Sequence, residues 1–125
     1  MEADFEEAEE GRLSGGELNA AVTSALVGIH TRYVGRGPER ASTFYNGNVV
    51  VTIMYDVMTH EEKSLVRAHH ESTVETIRRD FQETMEADFR GAVEQLTGCA
   101  VTGFISGYCV EPDILAEVFV LDARL

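Results

Sequence analysis

The segment from Thr59 to Leu96 contains no proline, holds about a third of the chain and repeats its apolar residues at helical spacing. The fold must therefore be arranged around one long helix, or around two nearly collinear ones. Its start is marked by Thr59 and Glu62, the pattern of a capping box, in which the threonine hydroxyl accepts from an early amide and the glutamate reaches back to the cap amide. Val66, Val74, Ile77, Phe81, Met85, Phe89, Val93 and Leu96 follow at steps of mostly three or four residues and predict one core-facing stripe. Glu75, Arg78, Arg79, Asp80, Glu83 and Glu86 lie between them and read as a solvated face of charge pairs. At about 1.5 Å per residue the segment would exceed roughly 50 Å, more than a small domain covers. Either it breaks near His69 to Thr73, or one end projects toward a partner.

The remaining elements follow from local signals. Residues 1–13 carry six acids in the first ten positions and read as a disordered acidic tail, with residues 14–125 forming one domain. Ser14 and Glu17 suggest a second capping box. Leu18, Val22, Ala25, Leu26, Ile29 and Tyr33 give the first helix its apolar face, and Gly35, Gly37 and Pro38 end it. A hairpin is expected from Ala41 to Val57, turning at Asn46-Gly47, and a second from Cys99 to Leu121, turning at Glu111-Pro112-Asp113. The order α-ββ-α-ββ predicts an α+β fold, a two-layer, four-stranded, mainly antiparallel sheet with two helices on one face, resembling a duplicated αββ unit.

Strand alternation adds a surface. Val49, Val51, Ile53, Tyr55 and Val57 share one side and Val50, Thr52 and Met54 the other, while Ala116, Val118 and Val120 oppose Leu115, Phe119 and Leu121. Both sheet faces are thus partly apolar and two helices cover one of them, which predicts a homodimer or a partner complex.

The net charge of −12 argues against nucleic acid, which needs a basic surface. Nine arginines and a single lysine, Lys63, stand against twenty-two acids, a balance like that of halophilic proteins. The acidic start lacks the pattern of an export signal, and no apolar run approaches the roughly 20 residues of a membrane-spanning helix. A cytoplasmic protein without a transmembrane segment is expected.

Chemical signals are sparse. His70 falls on the stripe of Val66 and Val74 and lacks ligating partners there, so it reads as a partly buried or interface histidine, and no metal is expected. His60 and His30 show no partner in sequence. Cys99 and Cys109, about 30 Å apart if they end one strand, read as free thiols. Positions 30–40 gather Arg32, Arg36 and Arg40 around Gly35, Gly37 and Pro38, a loop suited to a small anion such as phosphate, bicarbonate or a carboxylate. The alternative is that these arginines favour the negative end of the helix and pair with local acids.

The Gly35-Arg36-Gly37-Pro38 loop, the Asn-rich turn before a Val-rich strand, the Met58-Thr59-His60-Glu61-Glu62 helix entry and the final Glu117-Val118-Phe119-Val120-Leu121 strand together resemble the MpsC-like domain over about residues 15 to 122. That family is named for a component of a sodium-translocating, membrane-potential-generating system. The resemblance implies a small soluble protein associated with a membrane system for cation translocation, with a link to inorganic carbon supply, and it carries over no catalytic residue or cofactor. The expected function is a non-enzymatic accessory or regulatory protein acting through protein contacts. The alternatives are a small-anion sensor at the arginine-glycine loop and, last, an enzyme of unknown reaction.

Overall fold

A computed structural model describes residues 13–125. The acidic segment read as a disordered tail lies outside the described residues except for Leu13, which is exposed. Helix α1 (Gly15–Val34) is followed by strands β1 (Arg40–Asn46) and β2 (Val49–Tyr55). Helices α2 (His60–Arg67) and α3 (Glu71–Thr97) come next, then strands β3 (Val101–Cys109) and β4 (Ile114–Leu121). The four strands form one antiparallel sheet in the order β1-β2-β4-β3. Each hairpin contributes its second strand to the centre, as a repeated αββ unit would.

Of the two alternatives for the long segment, a break or a projecting end, the structure has the break, which changes the helix count from two to three. Ala68 closes α2, His69 adopts φ 65, and His70 precedes α3. A β-carbon in the left-handed region crowds the following carbonyl, so the helix cannot run through His69. The chain reverses there and α2 packs back against α3. This takes His70 off the stripe; it is exposed, as is His69, so of the two readings, partly buried or at an interface, the first is overturned.

Both capping boxes predicted from sequence can be compared directly. At α2 the Glu62 amide donates to Thr59 Oγ1 at 3.2 Å and the Thr59 amide to Glu62 Oε1 at 3.0 Å. At α1 the box is absent: Ser14 makes no side-chain cap. Gly15 takes φ 55 and gives its amide to the Tyr45 hydroxyl at 3.2 Å, so a strand residue replaces the expected cap. Gly35 ends α1 in the left-handed region at φ 86, its amide returning to the Thr31 carbonyl. The first hairpin turns one residue later than expected, because Asn46 pairs with Val49 and leaves Gly47 and Asn48 as the loop, with glycine supplying φ 63.

The core lies between the helices and one sheet face. Leu18, Val22, Leu26 and Ile29 of α1 and Val74, Met85, Phe89 and Val93 of α3 are buried, and Val50, Met54, Leu115, Phe119 and Leu121 meet them from the sheet. Tyr33, expected on the α1 apolar face, is exposed and donates its hydroxyl to Asp88 Oδ2 at 2.6 Å. Cys99 and Cys109 are free thiols. No helix among the described residues is long and apolar enough to cross a membrane.

Candidate functional site

The loop that ends α1 and the entry to α2, far apart in sequence, meet at Met58. Arg36 Nη1 donates to the Met58 carbonyl, and the Met58 amide donates to Asp113 Oδ2 at 2.8 Å in the turn of the second hairpin. One step further along the chain, Glu62 Oε1 completes its capping box and also accepts from Arg78 Nη2 of α3 at 2.7 Å. The side chains of this ion pair are 3% and 6% exposed. Arg78 was read as part of the solvated face; the reversal after α2 brings a carboxylate over it instead. His30 of α1 is fully buried beside this junction. Burial first, and then the Arg78 charge, push its imidazole down to about 4, against weaker pulls from the Arg36 backbone and Asp113.

The junction holds unpaired polar atoms. His30 Nδ1 and Nε2, Glu62 Oε2 and Arg78 Nε are buried without a partner among the described residues. Both histidine nitrogens and the arginine therefore sit in the helix-facing layer as donors and acceptors with capacity to spare.

The six loop residues read as an anion site are dispersed in their roles. Arg36 is anchored to Met58 as described. Arg40 lies on the outer sheet face with its guanidinium 4.0 Å from the centroid of the Tyr55 ring, a cation–π contact. Arg32 is exposed in the last turn of α1, where its charge suits the helix terminus. Gly35 supplies the cap, Gly37 approaches so closely that an added β-carbon would stand 3.0 Å from Thr31 Oγ1, and Pro38 is half-buried before β1. The three arginines thus serve three different places.

A second polar feature crosses the sheet beneath the helices. Thr43, Thr52, Glu117 and Ser106 are register partners on successive strands. Thr43 Oγ1 is 2.8 Å from Thr52 Oγ1 and 2.7 Å from Thr23 Oγ1 of α1, whose hydroxyl turns back to the Asn19 carbonyl. Glu117 is fully buried, neither carboxylate oxygen has a partner among the described residues, and burial pushes its carboxyl up to about 8 against the pull of Ser106. A carboxylate in apolar surroundings takes up a proton because its charge cannot be solvated there. Strand alternation already placed position 117 between the inward residues Leu115 and Phe119, so parity was the signal for this residue. His30 carries no comparable signal, since it lies next to Ile29 at the edge of the stripe.

The third feature is the sheet face opposite the helices. Phe44 is 52% exposed and Ile105 65%, and Val49, Val51, Ile53, Val118 and Val120 are half-buried beside them. The four strands contain one acid, Glu117, and it points inward, so the outer face carries no carboxylate among the described residues. In a chain with a net charge of −12 this face is set apart by chemistry.

The family model described as Na+-translocating membrane potential-generating system (MpsC) matches residues 14–123. No curated protein and no solved structure matches the chain.

Proposed function

Because this chain belongs to the MpsC family, we propose that it serves a Na+-translocating, membrane-potential-generating system as a non-enzymatic accessory or regulatory component acting through protein–protein contacts. The observation that carries this reading is the acid-free apolar face of the sheet. Its first occupant is a second copy of the chain. Two acidic molecules approaching by any other surface bring like charges together, whereas this face lets valine and isoleucine side chains meet without burying a carboxylate. Contact between such faces is isologous and closes as a pair, leaving the helical layers outward for components of the membrane system.

Solution mass by light scattering at low and high salt tests the pairing. A dimer at both salt concentrations is expected, and Ile105→Glu, which alters only an exposed position, should give a monomer of unchanged far-UV circular dichroism. A native chain that is monomeric at both salts would remove the basis of the reading.

A small-anion sensor at the arginine-glycine loop has one observation in its favour, the exposure of Arg32 at the end of α1 beside the left-handed Gly35. In that reading Arg32 supplies the charge and Arg36 holds the loop in shape through Met58.

A further inference from the structure

Strand β3 lies at the sheet edge and turns Ser106 and Tyr108 toward α3. Between them and the helix is a cleft of about 440 Å³, lined also by Glu75, Arg79 and Gln82. A smaller cleft of about 210 Å³ shares Arg79, Gln82 and Ser106 and extends it toward Phe104, with Glu83 and Glu86 on its helix side. Three atoms of this wall, Gln82 Nε2, Ser106 Oγ and Tyr108 Oη, are buried and without a partner among the described residues. An unmet buried donor costs about 1–3 kcal/mol, so three around one cleft are a strong call for an acceptor.

The polarity of that acceptor follows from the protons available. Gln82 offers an amide N–H, and Arg79 on the exposed side adds a guanidinium. Burial, followed by the charge of Glu75, raises the Tyr108 hydroxyl above its ordinary value, so the phenol enters as a neutral donor. Ser106 stands opposite Glu117 in the register, and burial raises that carboxyl to about 8, so Ser106 faces little negative charge from the sheet. Glu75 stands one turn before Arg79 on α3 and Glu83 one turn after it, and neither forms an ion pair with it among the described residues, so the Arg79 guanidinium can turn to a bound anion.

We propose that the cleft between α3 and β3 is a binding site for a small oxyanion, a carboxylate or phosphate, held by Arg79, Gln82, Ser106 and Tyr108. The site lies on the helical side of the sheet and is separate from the dimer face and from the loop that ends α1.

Thermal unfolding and calorimetric titration of the full chain with potassium phosphate and with potassium acetate, each against potassium chloride of equal ionic strength, test it. The chloride arm accounts for screening of the −12 charge, which stabilises the chain without a site. Phosphate or acetate should give a saturable response beyond chloride. Tyr108→Phe and Arg79→Gln, which keep packing and each remove donors, should weaken it about tenfold, equivalent to about 1.4 kcal/mol, and Ser106→Ala should do the same. Arg32→Ala should leave it unchanged. Responses to both anions no larger than to chloride would overturn the proposal. So would a saturable response that survives all three cleft variants, and loss in Arg32→Ala alone would assign the anion to the α1 loop instead.

Discussion

Glu62 Oε1 accepts from the Arg78 guanidinium at 2.7 Å and from the Thr59 amide at 3.0 Å, so one carboxylate oxygen starts α2 and pins it to α3. Because the pair is nearly sealed from water, neither charge can be left alone at small cost. Removing one partner of a buried ion pair typically costs about 3–5 kcal/mol, since the other charge stays desolvated. Arg78→Met should therefore lower unfolding free energy by about 3–5 kcal/mol in denaturant titrations, whereas Arg79→Met, one residue on and exposed, should change it by no more than about 0.5 kcal/mol. Equal effects would mean that the pair does not tie the helices. Sequence could not separate the two arginines. Both lie in a charged run at helical spacing, and the difference between them is a carboxylate delivered by a chain reversal ten residues away.

That reversal belongs to the scale of elements, and it rests on His69 at φ 65. A left-handed residue other than glycine costs about 1–2 kcal/mol, and a β-branched one costs more because χ1 crowding adds to it. His69→Gly should leave stability unchanged or raise it by up to about 1 kcal/mol, while His69→Val should lower it by about 1–2 kcal/mol in thermal unfolding. A His69→Val chain as stable as the native one, with more helix by circular dichroism, would mean that α2 and α3 can fuse. The elements themselves were largely legible. The apolar stripe located α3, length left only a break or a projecting end, and Asn46 and Gly47 marked the first hairpin to within one residue. What failed were features settled by another part of the chain. The Ser14 cap did not form and Tyr45 of β1 accepts from the Gly15 amide beside it, and the arginine-glycine loop, legible as unusual, gave no hint that Arg36 would reach Met58. Local pattern fixes where the backbone turns; it does not say which side chain arrives there.

At the scale of the whole molecule, the two layers treat charge in opposite ways. Among the described residues the outer sheet face carries no carboxylate, while the buried layer admits two fully enclosed titratable groups, Glu117 and His30, and burial disfavours the charged form of each. Glu117 faces Ser106 and Thr52 across the sheet, and His30 faces Arg78, Asp113 and the Arg36 backbone. Their effects on stability run in opposite directions. Glu117 has a folded pKa raised from 4.5 to about 8, so the folded chain keeps a proton that the unfolded chain has lost, and its contribution declines as pH rises across that window. His30 is lowered from 6.5 to about 4, so the unfolded chain gains a proton first, and its contribution declines as pH falls from 6.5 to 4. Each slope is about 1.4 kcal/mol per pH unit. Between the two ordinary values, 4.5 and 6.5, they cancel, and above 6.5 the Glu117 slope stands alone. The difference in unfolding free energy between the native chain and Glu117→Gln should therefore fall steadily from pH 4.5 to 8 and be level outside that range. The difference between the native chain and His30→Gln should rise from pH 4 to 6.5 and then level off. Denaturant titrations from pH 4 to 9 on the three proteins read both curves, and a flat Glu117→Gln difference would mean that the carboxyl is ionised in the fold at neutral pH. In that case a negative charge would stand opposite Ser106 in the register, and it would oppose oxyanion binding in the α3–β3 cleft.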